Sequence, residues 1–276
     1  MPVIDSHHHF WNYTEADYGW IPPEWSLIKR DFLPVDLERE IAAAGVDGVV
    51  SVQARQSLVE TGWLLDFATR HAFILGVVGW VPLVDPAVGD VLDEFAVHPK
   101  LRALRHVVQG ETDDRFILRA DFNRGIAELT RRGLAYDLLI LEKHLGPTIE
   151  FVDRHPNQVF VLDHIAKPKI AANELEPWAK NIRELARRPN VSCKLSGMVT
   201  EADVTTWTSA QLQPYFDVVF SAFGPSRLLF GTDWPVCLAG VSYSGWKQMV
   251  EGALSALSAS ERLAVMGENA VRIYRL

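Results

Sequence analysis

Eight short runs of β-branched and apolar residues recur along the chain with helix-patterned segments between them. This alternation constrains the fold more than any other feature. The runs fall at 3–9, 48–53, 74–81, 101–107, 134–139, 159–164, 191–195 and 228–233. Amphipathic stretches, with apolar residues three and four apart, occupy 37–44, 62–71, 122–132, 174–187 and 211–223. Helix punctuation agrees. Asp36 and Asp121 stand where N-caps belong, and Gly45 and Gly133 where a helix stops in a left-handed residue. Asp85-Pro86 can open a helix, while His155-Pro156 and Arg188-Pro189 end two others before a strand. Alternating strands and helices imply a parallel sheet, and eight repeats imply one closed into a (β/α)8 barrel. An open doubly wound sheet is the alternative, but no glycine-rich phosphate turn follows the first run. Barrels of this kind commonly run near ~250 residues, so the 276 residues read as one barrel domain, 1–276, with no low-complexity linker to divide them.

Composition narrows the partners. Apolar residues make up 48% of the chain, enough for a large core, yet no run approaches the ~18 uninterrupted apolar residues of a membrane helix. No basic segment followed by an apolar stretch opens the sequence, and Cys193 and Cys237 form neither a disulfide framework nor a zinc ribbon. Cytoplasmic residence is the expectation. A formal charge of −8 without a basic block argues against nucleic acid and anionic membrane. The partner left is a small molecule, with the oligomeric state open.

The chemistry concentrates at run ends. In Ile4-Asp5-Ser6-His7-His8-His9, side chains alternate faces, so His7 and His9 point one way and converge, while His8 faces the helix layer. His164 closes the sixth run and Asp233 the eighth. A lone residue of this kind at a strand end is more often a turn or cap. Four at the same end of a barrel supply three imidazoles and a carboxylate, suited to one divalent ion or to water activation. Gln53 and Trp80 lie at or next to the ends of two further runs. Arg105 and His106 are neighbours, so only one points inward, and the register is open. Two long loops, 10–33 and 232–245, carry Trp11, Tyr13, Tyr18, Trp20, Trp25, Trp234 and Tyr243. Trp25 and Trp234 are candidates to pack on a sugar ring; the competing reading is that such rings staple the loops down. Lys167, after Ala166, is a loop cation and a candidate to reach substrate, with a solvated lysine the better reading.

The segments DSHHHFW, LDHIAKP, KLSGM and LLFGTDWP, with VQA at 52–54 and LRHVVQ at 104–109, together resemble the amidohydrolase superfamily. They are most similar to its branch of small-molecule lactonases, which includes the L-fuconolactonases and L-rhamnonolactonases of carbohydrate catabolism. The resemblance implies a distorted (β/α)8 barrel that hydrolyses a ring ester, with His7, His9, His164 and Asp233 in the active site. It favours His106 inside the barrel. Binuclear members bridge two metals with a lysine or glutamate and use two further histidines. Here the fifth run offers Asp137, only His164 stands for the histidine pair, and the seventh ends in Lys194. The expectation is therefore at most one divalent metal, zinc first, or none, since some lactonases of this branch work without one. Lys194 either replaces part of the metal's charge or pairs with Asp137.

Asp233 is then the expected general base, assisted by His164, His106 and Lys194, with Gln53, Trp80, Trp25, Trp234 and Arg105 on the substrate. No Gly-x-Ser-x-Gly elbow supports a serine nucleophile. The alternatives are hydrolysis of an aromatic-derived lactone such as a muconolactone or a pyrone dicarboxylate, metal-dependent decarboxylation on the same barrel, and a non-catalytic barrel.

Overall fold

Each of the eight apolar runs forms a strand in the computed structural model, which describes residues 2–276. The strands are β1 (Ile4–His8), β2 (Gly48–Val52), β3 (Ile74–Gly79), β4 (Leu101–Val107), β5 (Ala135–Leu139), β6 (Phe160–Leu162), β7 (Val191–Leu195) and β8 (Leu228–Phe230). They lie side by side in chain order, and the seven neighbouring pairs from β1 to β8 are all parallel. A parallel bridge between His8 and Trp234 joins the two ends of the sheet. The barrel reading holds.

The helical layer is α1 (Pro34–Ala44), α2 (Leu58–Arg70), α3 (Val88–Ala96), α4 (Ala120–Arg132), α5 (Leu145–Arg154) and α6 (Trp178–Leu185). It continues with α7 (Met198–Glu201), α8 (Ser209–Phe223), α9 (Tyr243–Ala253), α10 (Ala259–Leu263) and α11 (Asn269–Tyr274). Gly45 and Gly133 end α1 and α4 at φ 65° and 66°, as their positions predict. The expected N-caps differ by a few residues. Asp36 lies in the first turn of α1, where its carboxylate accepts from the Leu33 N–H at 3.0 Å, and Asp121 lies in the first turn of α4. Either place satisfies a free N–H or complements the helix dipole, so the sequence signal is the same. Among the described residues no helix is long and apolar enough to cross a membrane.

Small apolar side chains fill the lower barrel: Ile4, Val50, Val52, Val78, Ala103, Ala135, Val161 and Leu229, capped from below by Ala270, Ile273 and Tyr274 of α11. The Tyr274 hydroxyl reaches upward and donates to Asp137 at 2.9 Å. Asp137 also accepts from Lys194 at 2.5 Å, so the interior turns from apolar to ionic halfway up. Such a buried pair is sustained only when both partners are present; losing one leaves a bare charge at a cost of about 3–5 kcal/mol. The 10–33 loop crosses the upper rim. It is pinned by fully buried Trp11, whose indole N–H donates to the Arg30 carbonyl at 2.8 Å, and by Arg55, which pairs with Asp17.

Candidate active site

The site begins with β1 and how it is held. Asp5 accepts from Thr232 N–H at 2.9 Å, the Thr232 hydroxyl at 2.6 Å, the Tyr243 hydroxyl at 2.9 Å and His7 N–H at 3.1 Å. These bonds lock the end of β8 to β1, whose register against β2 shifts between Asp5 and His8. His7 and His9 then share a face, as alternation predicts, with their Nε2 atoms 3.2 Å apart. His8 points the other way, onto Ser51 Oγ at 2.9 Å, and burial pushes its pKa to about 3.

His164 and Asp233 arrive differently. The predicted strand 159–164 stops at Leu162, and His164, Ile165, Ala166 and Lys167 all take positive φ: 51°, 49°, 63° and 48°. Asp233, beyond the end of β8, has φ 60°. For residues with a Cβ this region costs roughly 1–3 kcal/mol each, and it persists only where the surroundings enforce it. Here the indole N–H of Trp178 donates to the Ile165 carbonyl at 2.7 Å, and Lys167 N–H donates to the His164 carbonyl at 2.8 Å. The His164 ring lies so close to Gly197 that a Cβ there would sit 2.5 Å from Nδ1. This contact, besides its own φ of 66°, is why the KLSGM segment carries glycine.

The four residues meet at the C-terminal end of the barrel. Asp233 Oδ1 lies 3.3 Å from His9 Nε2, 3.7 Å from His7 Nε2 and 3.9 Å from His164 Nε2. Burial alone would raise the Asp233 pKa; the three imidazoles set around it, His164 first and then His9 and His7, outweigh burial and hold the carboxyl below its ordinary value. Burial lowers His164 to about 4, and burial with the Lys194 charge holds His7 well below its usual value. His9 Nδ1 donates to the Val52 carbonyl at 2.8 Å, which can only accept, so its Nε2 lone pair is free. His7 Nδ1 lies 3.3 Å from Asp163, the carboxylate–imidazole support common behind metal ligands.

The donor set fits one divalent ion. Ligand atoms of His7, His164 and Asp233 lie within 4.8 Å of one another, and neutral imidazoles beside an ionised carboxylate are the protonation states that coordination requires. Among the described residues this is the one such donor cluster, and the Lys194 Nζ sits beneath it, 2.9 Å from Asp163 and 3.1 Å from His7 Nδ1.

Above the cluster opens a cavity of about 490 Å³, lined by Trp20, Arg105, Gln109, His164, Lys167, Glu201 and Asp233 among others. The register of β4 places Arg105 inside, not His106. Arg105 donates to Asp163 at 2.9 Å and to the Gln53 carbonyl, and lies 3.3 Å from His7 Nε2. His106 stacks on Phe116 in the helix layer and pairs with Glu111 at 2.7 Å. The reason is parity: Ala103 packs inside the lower barrel, so Arg105, two residues on, must follow it. Trp80 donates its indole N–H to His106 at 3.3 Å, and Gln53 donates to the Arg105 carbonyl at 3.2 Å. Neither lines the cavity, nor does Trp25, which packs against the main core, or Trp234, edge-on to Phe32 at 5.1 Å. Lys194 is fully buried below the cavity and pairs with Asp137, the bland alternative for it, while also touching Asp163 and His7. Asp163 and Glu201 were not singled out by the sequence, and Trp20 only as one of the aromatic residues of the 10–33 loop. Asp163 adjoins His164, and alternation would have sent the two to opposite faces.

The sequence profile of the family described as Amidohydrolase matches residues 4–276. An L-fucono-1,5-lactonase of Burkholderia multivorans is 42% identical, the match covering 99% of this chain and 96% of that protein. A second, from Burkholderia ambifaria, is 38% identical over 99% of this chain and 95% of its own length. A crystal structure of a B. multivorans amidohydrolase with bound zinc superposes with a TM-score of 0.97 at 41% identity, covering all of both chains. The likeness runs from the first strand through the helix that plugs the barrel, well beyond the motifs, and the chain belongs to the amidohydrolase family.

Proposed function

We propose that this chain is a lactonase that opens the ring ester of a neutral sugar lactone, with L-fuconolactone and L-rhamnonolactone as the leading candidates. The observation that carries the reading is an ionised Asp233 set among three imidazoles at the floor of a cavity of about 490 Å³, large enough for one sugar ring. The full-length relatives named as L-fucono-1,5-lactonases support the substrate class.

Asp233 takes the proton from the attacking water and returns it to the ring oxygen as the ester opens. Its lowered pKa keeps it ionised at working pH but limits its pull on a proton, so the developing oxyanion needs strong stabilisation. Arg105 lines the cavity and supplies a fixed cation there, oriented by Asp163 and the Gln53 carbonyl. Lys194 and Asp163 hold His7 from below. A single zinc ion held by some of His7, His9, His164 and Asp233 would polarise the ester carbonyl and acidify water.

Charge at the site sets the substrate. Arg105, Lys167 and Lys194 are each matched to carboxylates, and no unpaired arginine lines the cavity among the described residues. A dicarboxylate would call for bidentate arginines, and Arg105, the arginine that lines the cavity among the described residues, is already engaged by Asp163. Side-by-side turnover of L-fuconolactone and a pyrone dicarboxylate is the test. The neutral lactone should win by on the order of a thousandfold. Faster opening of the dicarboxylate would overturn the sugar assignment.

A further inference from the structure

The left-handed run that turns His164 toward the floor also lifts Lys167 to the cavity wall, and there it meets Glu201 at the end of α7. The Lys167 ammonium and a Glu201 carboxylate oxygen are 3.6 Å apart, with the two side chains only 20% and 24% exposed. That gap is within ion-pair reach but too long for a hydrogen bond. Among the described residues neither side chain makes another polar contact, so the donors of Lys167 and the acceptors of Glu201 are unspent where both line the cavity. A hydroxyl oxygen placed about 2.8 Å from each group fits across such a gap, accepting from the ammonium and donating to the carboxylate. Burial raises the Glu201 pKa, the mark of a carboxyl drawn away from bulk water. Trp20 lines the same cavity, 49% exposed and edge-on to Trp11, and offers a flat apolar face to the C–H side of a ring.

We propose that Lys167 and Glu201 form the hydroxyl-reading wall of this cavity, binding a hydroxyl or vicinal diol of the substrate ring against Trp20. This rests on the lactonase reading and adds to it the residues that tell a polyhydroxylated ring from a bare one. The strained run at 164–167 then serves two ends: one turn aims a member of the imidazole cluster and delivers the specificity cation. An ordinary right-handed turn after β6 would alter both directions at once.

The test compares kcat/KM for L-fucono-1,5-lactone with that for δ-valerolactone, which lacks ring hydroxyls, in the wild type, Lys167→Met and Glu201→Gln. Each variant should lose roughly 10- to 100-fold of the preference for the hydroxylated ring, mainly through KM. Turnover of δ-valerolactone also reports that the variant is folded. An undiminished preference, or an equal fall on both substrates, overturns the proposal. If the wild type opens neither ring, the lactonase reading fails separately. Calorimetric binding of the corresponding neutral 1,5-lactam then decides the wall: wild-type binding lost in both variants supports it, and equal binding or none by the wild type refutes it.

Discussion

Replacing Asp233 by asparagine keeps the shape of the side chain and removes its charge from among three imidazoles. Hydrolysis should fall by ~10²-fold or more. A near-normal rate in an Asp233→Asn protein with unchanged circular dichroism would assign the base elsewhere. Glu60 gives a second expectation at this scale, on stability. It is buried at the start of α2, accepts from Arg55 N–H at 2.7 Å, and burial raises its pKa to about 7. Below its ordinary value of 4.5 the group is protonated in both folded and unfolded chains, and above about 7 it is ionised in both. In between, the folded chain holds the proton more tightly, so this group's contribution falls as pH rises, by about 3 kcal/mol in all. Urea unfolding at pH 4.5 and 7.5 should show the wild type losing about 3 kcal/mol relative to Glu60→Gln over that range, because the buried histidines, whose contribution rises with pH, act alike in both proteins. The same slope in both proteins would mean that Glu60 is not the titrating group.

At the scale of elements, the turns after β6 and β8 do what the strands cannot. A strand end aims successive side chains to opposite faces, yet Asp163 and His164 both serve the site, because the backbone enters the left-handed region at His164. Gly197, which begins the turn into α7, is the contact that lets the His164 ring sit where it does. In Gly197→Ala the new methyl collides with the imidazole and the positive φ is strained, so His164 must move. Activity should drop tenfold or more, with a loss of stability of about 1–3 kcal/mol. Wild-type kinetics in that variant would show that the site does not depend on this packing. Elsewhere local signals sufficed: the glycine stops of α1 and α4 fall where expected, whereas Asp36 and Asp121 moved inside the first turns, a shift local patterns do not resolve.

For the whole molecule the charge balance of the barrel decides how much metal it can hold. Lys194 occupies the interior below His7, tied to Asp137 and Asp163, so a fixed cation already neutralises the carboxylates beneath the cluster. Elemental analysis of purified protein should find no more than one divalent ion per chain, zinc being expected, and mutation of His7 or His164 should release it. Two tightly held ions per chain would reveal ligands outside this cluster. The interior ion pairs also tie the site to α11, since Tyr274 donates to the same Asp137 that receives Lys194.

Eight strands, their parallel order and the residues His7, His9, His164 and Asp233 were all legible in the linear sequence. The physical reason is that burial writes a periodic apolar pattern, and chemistry in such barrels sits where each pattern ends. The resemblance carried in DSHHHFW and LLFGTDWP pointed the same way. The choice between Arg105 and His106 was not legible. Both neighbours are buried, and only the packing of Ala103 two residues earlier decides which one faces inward. Trp25 and Trp234, candidate substrate contacts from their place in the two loops, pack against the core and Phe32 and do not line the cavity. Glu201 and Asp163 were not singled out by the sequence, and the place of Lys167 on the cavity wall was decided only by the left-handed run after β6. Backbone handedness at a strained residue is imposed by distant contacts such as Trp178 and Gly197, and no local run of amino acids encodes it.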